Sequence, residues 1–340
     1  MAEPHRRVYV FAHPRSTSHL FYQLLGGHPS FEATKPLSCM PAYRLGVDSQ
    51  SALDPSKAAC DAYGLDVETL TKASWQNFVD TTQRNVADAE AKGKCFLAMD
   101  HPYQLMPSSL VNSQLDVPER KTRPTPSVVD HKFDLAASPS GVECGDDLGA
   151  HSNPTLIPDR FFFSFTPIVT IRHPAHATPS TYRALREMGG EISYLDFPVL
   201  TSYKLTRLVF DSYKAYAASM EKSGIANALL PIVVDGEKLV KDPQGQMKKV
   251  CDALGLDEGG IRYNWDSPEM RKGTKLGNAF FKTLNGSNGV VPNSKYDMPI
   301  DIESETLKWA QEWDEVTAKA LRKRVEEDME DYQYLLQCSV

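Results

Sequence analysis

Residues 6–25 read RRVYVFAHPRSTSHLFYQLL, and the order of residue types in this stretch decides the fold class. Arg6–Ala12 is a short run of β-branched and aromatic residues, the signature of a buried strand. His13–Ser18 (HPRSTS) is a polar loop. Ser18–Leu25 has helical spacing and stops at Gly26-Gly27. Strand, polar loop and helix form the opening unit of a nucleotide-type α/β fold.

The pattern repeats outward from there. Lys94–Met99 (KCFLAM) reads as a second strand, ended by Asp100-His101-Pro102. Thr166–Ile171 (TPIVTI) is a third, ended by Arg172-His173-Pro174. Leu229–Val234 (LLPIVV) is a fourth, ended by Asp235-Gly236. Helices are predicted over Asp66–Lys92, His176–Met188, Thr201–Ser223 and Asp242–Leu254, the last with Asp242 as cap and Pro243 at its first position. One long acidic helix is expected over 303–336. Residues 32–63 and 259–299 read as irregular. Residues 112–158 are rich in Pro, Ser, Asp and Gly. They are too long for an ordinary connection, so they read as an insertion, either a lid over the site or a surface excursion. Alternating strands and helices imply a mostly parallel sheet flanked by helices in a single α/β domain over 1–340.

Composition narrows the class. The 340 residues carry a formal net charge of −7, which excludes bulk electrostatic attraction to nucleic acid or anionic membrane. Residues 301–340 hold eleven acidic and five basic residues, so the rest of the chain is close to neutral and free to carry a local anion site. The N-terminal stretch MAEPHRRVYVFAHP lacks a long apolar run, so no signal peptide is expected, and no uninterrupted apolar stretch reaches membrane length. Six scattered cysteines without a Cys-x-x-Cys pair suit reduced thiols in a cytoplasmic protein. No zinc-type spacing occurs, and no metal is expected. Trp309 and Trp313 are expected in the core. Arg322-Lys323-Arg324 should face Glu326-Glu327-Asp328 as a solvated ion-pair surface. The acidic terminal helix could serve a partner or a homodimer.

Ligands of open parallel sheets sit beyond the carboxyl ends of the strands. Three such ends carry polar groups. In the first loop, Arg15, Ser16, Thr17 and Ser18 precede a helix N-terminus, a combination that favours an anion. No Walker A pattern occurs anywhere. After the third strand, Arg172 and Ser180, eight residues apart, could grip one phosphate. After the second strand, His101 could accept a proton, with Asp100 orienting it or acting as base itself.

The Pro14–Ser18 loop combined with Arg172-His173-Pro174 and Ser180 resembles the sulfotransferase family that uses 3′-phosphoadenosine 5′-phosphosulfate (PAPS). So do Asp235–Leu239 with Asp242-Pro243 and Leu254-Gly255, and Met270-Arg271-Lys272-Gly273. The match in order and spacing covers roughly residues 6–280 and looks most like a fungal branch tied to natural-product pathways. The resemblance implies a P-loop-like fold without a metal. It places Arg15 and Ser16–Ser18 on the 5′-phosphosulfate, and Arg172, Ser180, Arg271, Lys272 and Gly273 on the 3′-phosphate. It makes His101 the general base, acting on a hydroxyl of a small organic acceptor. Two departures stand out. Arg15 occupies a position often held by Lys. Thr17 occupies one usually held by Gly, where a β-branched residue disfavours φ > 0. The alternative is the same fold turned to another acid–base reaction on a natural product (elimination, isomerisation or cyclisation) without PAPS. A third reading is a nucleotide-binding or scaffolding protein without turnover.

Overall fold

A computed structural model describes residues 7–54, 60–61, 72–135, 152–222, 230–266 and 274–340. Five strands form one sheet: β1 (Arg7–Ala12), β2 (Phe31–Ala33), β3 (Cys95–Asp100), β4 (Thr166–Ile171) and β5 (Ile232–Asp235). Their order is β2-β3-β1-β4-β5 and every pairing is parallel. The carboxyl ends therefore share one edge. Phe11 is in register with Asp100 of β3 and with Val169 of β4.

Period-two alternation along the strands fills both faces. Tyr9, Phe11, Phe96 and Ala98 join a core beneath the helices Trp75–Ala91 and Tyr203–Lys222. Val8, Val10, Leu97 and Met99 join a second core with the helices Ser18–Gly26 and Pro243–Leu254. The two-sided covering expected of a parallel sheet is thus present, and the α/β class is as predicted.

Several boundaries differ, each for a local reason. β2 lies inside the stretch read as irregular, because a three-residue edge strand carries no periodicity. The helix Met40–Leu45 lies there too. The helix Lys275–Asn285 sits within 259–299; Thr274 caps it by accepting from the Gly277 N–H at 2.9 Å. The expected single acidic helix is two, Ile302–Glu312 and Glu315–Gln337. Trp313 leaves helical geometry, and Asp314 starts the second by accepting from the Thr317 N–H at 2.7 Å. Trp309 is buried and Trp313 packs in the same cluster, as expected. Arg322 and Arg324 pair with Glu326, Glu327 and Asp328 as expected, but Asp328 is buried, not part of a solvated face.

The described part of the insertion is mostly exposed but is anchored at a few buried side chains. The helix Ser108–Leu115 runs into it, and Arg120 is 1% exposed. Arg120 donates to Asp196 Oδ1 at 2.5 Å and to Asn112 Oδ1 at 2.8 Å. A buried guanidinium held this way fixes the backbone on both sides of it. Residues 136–151 lie outside the described residues, as do Arg271, Lys272 and Gly273.

Candidate active site

The edge where β1, β3, β4 and β5 end opens onto a chamber of about 800 Å³. Arg15, Thr17, Ser18, His101, Arg172 and Ser180 all border it, so groups from three strand ends converge as the sequence suggested.

The first loop makes an unusual turn. Arg15 and Thr17 both take left-handed backbone conformations, with φ of 61° and 66°. The expectation that Thr17 would avoid φ > 0 therefore fails, and a neighbour explains how the turn is held. The helix Gly236–Lys241 begins against the loop. A Cβ added to Gly236 would lie 2.2 Å from the Ser16 carbonyl oxygen and 2.8 Å from Thr17 Cβ and Oγ1. The missing side chain at 236 makes the room that the loop's own sequence lacks. Ser16 differs from its neighbours. Its hydroxyl donates to the His13 carbonyl at 2.6 Å and bonds Thr170 Oγ1 at 2.7 Å, so it closes the turn instead of facing the chamber.

Two guanidinium groups meet beyond this loop. Arg15 Nε donates to Ser180 Oγ at 2.9 Å, and its Nη1 donates to the Phe280 carbonyl at 2.9 Å. Arg172 Nη1 donates to the Arg15 carbonyl at 3.2 Å. Burial, together with the like charge of Arg172, lowers the Arg15 pKa to about 10. Arg172 Nε is buried without a hydrogen bond, 3.6 Å from Glu237 Oε1. Glu237 is shared with His176 Nδ1 at 2.6 Å. Among the described residues Glu237 is the one carboxylate within ion-pair distance of either guanidinium, and it lies against Arg172 alone, so the cluster has unmet demand for negative charge. Ser180 reaches Arg15 from within the helix Pro174–Glu187, not from its start. His173 is that helix's cap, its Nδ1 accepting from the Ala175 N–H at 3.1 Å.

His101 stands at the end of β3. Its Nδ1–H donates to the Ala12 carbonyl at 2.6 Å. This bond fixes the tautomer and leaves the Nε2 lone pair as an acceptor. Burial lowers its pKa to about 4, and the charge of Arg15 adds to that, so the ring is neutral near pH 7. Tyr103 lies parallel to it, 5.8 Å between centroids.

Asp100 does not fill the orienting place expected for it. It is fully buried and takes its bonds from Tyr9 Oη (2.5 Å), the Cys39 N–H (2.9 Å) and Ser38 Oγ (3.4 Å). Burial raises its pKa to about 6. The orienting group on His101 is the Ala12 carbonyl, one register step across the sheet.

Sequence reading missed Gly236, Glu237, Tyr203 and Phe280. The Asp235-Gly236-Glu237 end of β5 was visible as a strand end, yet nothing local tied it to the first loop. Tyr203 donates to the Arg172 carbonyl, accepts from the Arg172 N–H at 3.1 Å, and stacks on His13 at 3.7 Å. Among the described residues no group of three or more His, Cys, Asp or Glu is placed to hold a metal ion. None of the described helices is long and apolar enough to cross a membrane.

Residues 7–258 match the model of the sulfotransferase family. The chain belongs to that family. Relatives include the sulfotransferase ppzF of Metarhizium majus, 26% identical over 97% of this chain and 95% of that protein. The ppzF of Metarhizium rileyi is 24% identical over 97% and 94%. These place the chain with a fungal sulfotransferase-like branch. The sulfotransferase domain of the curacin biosynthetic pathway is 16% identical, covering 91% of this chain and 97% of that one, at a TM-score of 0.42. The corresponding domain of the Synechococcus olefin synthase gives 15%, 92%, 97% and 0.38. Superpositions this loose add nothing to the family assignment. The protein is thus a sulfotransferase-type enzyme.

Proposed function

We propose that this sulfotransferase moves the sulfuryl group of PAPS to a hydroxyl of a small organic acceptor, with His101 as general base. The observation carrying this reading is the cluster of Arg15, Ser180 and Arg172 lining the same chamber as His101. Two close guanidinium groups, of which Arg172 alone has a carboxylate within ion-pair distance among the described residues, and a buried Nε lacking a partner, suit a multiply charged anion.

In this reading Arg172 and Ser180 hold the 3′-phosphate, and Arg15, bonded to Ser180, serves the 5′-phosphosulfate as the resemblance implies. The loop amides at Thr17 and Ser18, at the N-terminus of the helix that follows, hold the 5′-phosphosulfate. Arg271, Lys272 and Gly273 complete the 3′-phosphate grip as the sequence resemblance implies. The acceptor oxygen forms a bond to sulfur as the bond from sulfur to the phosphate oxygen breaks. The acceptor proton passes to His101 Nε2 while Nδ1–H stays on the Ala12 carbonyl. Positioning and charge neutralisation carry most of the rate, as in phosphoryl transfer. A bound anion beside Arg15 offsets the charge that depresses His101, so the base strengthens when the donor is present.

Calorimetry with 3′-phosphoadenosine 5′-phosphate (PAP) tests the donor half. Saturable binding that Arg172→Ala abolishes supports it; folded protein that takes up no PAP would overturn it and leave the other acid–base chemistries.

A further inference from the structure

Aromatic and aliphatic side chains also wall the chamber. Tyr103, parallel to His101, meets Tyr43 edge-on at 5.6 Å, and Leu37 and Met40 border the same space. Next to Tyr43 on the helix Met40–Leu45 stands Arg44, which also borders the chamber. It is only 8% exposed.

A guanidinium so far removed from solvent normally has a carboxylate partner. Arg44 has none among the described residues. Its Nη1 donates to the Leu53 and Asp54 carbonyls at 3.1 and 3.3 Å. Among the described residues its Nε and Nη2 make no hydrogen bond, and neither is fully sealed from solvent. The nearby carboxylates are committed elsewhere. Asp54 binds Lys121 at 2.7 Å and Arg123 at 2.6 Å. Asp196 binds Arg120.

We infer that Arg44 is a specificity subsite for an acceptor carboxylate, set beyond an aromatic wall from His101. The acceptor class is then an amphipathic hydroxy acid: hydroxyl at His101, apolar body against Tyr103 and Tyr43, carboxylate on Arg44 Nε and Nη2. The fork geometry of a guanidinium matches two carboxylate oxygens, and the enclosing protein limits screening by water. This inference rests on the sulfuryl-transfer reading of the chamber, and the measurements below separate the two.

The probes are ω-(4-hydroxyphenyl)alkanoic acids of increasing chain length, each paired with its methyl ester. Binding to the PAP-loaded protein is measured by calorimetry. One acid should bind roughly tenfold to a hundredfold more tightly than its ester, the range of a charged hydrogen-bonded contact. Arg44→Met should erase that ratio while leaving the PAP affinity unchanged, and Arg44→Lys should retain part of it. Thermal melts check that both variants fold. If Arg44→Met does not fold, the wild-type acid-to-ester ratio and the Arg44→Lys variant decide. Acids binding no more tightly than their esters at every chain length would overturn the subsite, as would a preference that survives Arg44→Met. Loss of PAP binding in the wild-type protein would instead overturn the donor assignment. The acid-to-ester comparison is then run without PAP and judged by the same ratio.

Discussion

Arg15 Nε and Ser180 Oγ lie 2.9 Å apart, joining the loop after β1 to the helix after β4. This bond brings two separately readable motifs into one anion site. Arg15 also has a second hold, since its Nη1 is fixed by the Phe280 carbonyl. Ser180→Ala should therefore leave Arg15 in place and remove one ligand of the anion. PAP affinity should fall roughly tenfold to a hundredfold, the value of a hydrogen bond to a charged group. Calorimetry checks this, with the melting temperature held as control.

His101→Ala should cut kcat by roughly a hundredfold to ten-thousandfold, the usual range for a lost general base, and leave PAP binding unchanged. Single-turnover measurements at saturating donor separate the two effects. An equal loss of PAP affinity would mean that the ring holds the loop rather than the proton.

The pH dependence has a definite sign. Burial puts the His101 pKa at about 4, so the base becomes protonated and inactive only well below the usual histidine range. The acid limb of kcat/KM, which reports the free enzyme, should fall near that value instead of near 6.5. Arg15→Met removes a positive charge that lowers His101 and should move the imidazole titration upward in NMR. A downward shift would contradict the electrostatic coupling.

Gly236→Ala should be costly. Its Cβ would meet the Ser16 carbonyl oxygen at 2.2 Å, a backbone atom that moves only if the loop moves. A fall in melting temperature together with weaker PAP binding is expected. Thr17→Gly instead relieves a left-handed threonine, worth roughly 1–2 kcal/mol, against the greater chain entropy of glycine. PAP binding should survive that change.

Asp100→Asn tests the buried carboxylate. It keeps an acceptor for the Cys39 N–H and weakens the bonds from Tyr9 and Ser38, so stability should drop by roughly 1–3 kcal/mol. The acid limb of the rate profile should stay where it is, because the Ala12 carbonyl holds the His101 tautomer.

The helix Lys275–Asn285 illustrates what local pattern conceals. Its residues follow a Gly- and Asn-rich stretch, and its contribution to the site is a backbone carbonyl, that of Phe280, which no side-chain motif announces. The break at Trp313-Asp314 was equally hidden, since apolar spacing continues across it while one cap at Asp314 ends the run.

By itself the sequence determined the sheet class, the strand ends and the residue types placed there, because burial on both faces makes each strand a short continuous apolar run and polar residues collect where strands stop. The tertiary structure decided the rest. Arg15 turns to Ser180, Gly236 makes room for a left-handed Thr17, Ala12 takes the orienting place expected of Asp100, and Arg44 finds no counter-ion among the described residues. The first three depend on contacts between segments far apart in the chain, and such contacts are set by packing and burial rather than by spacing along it.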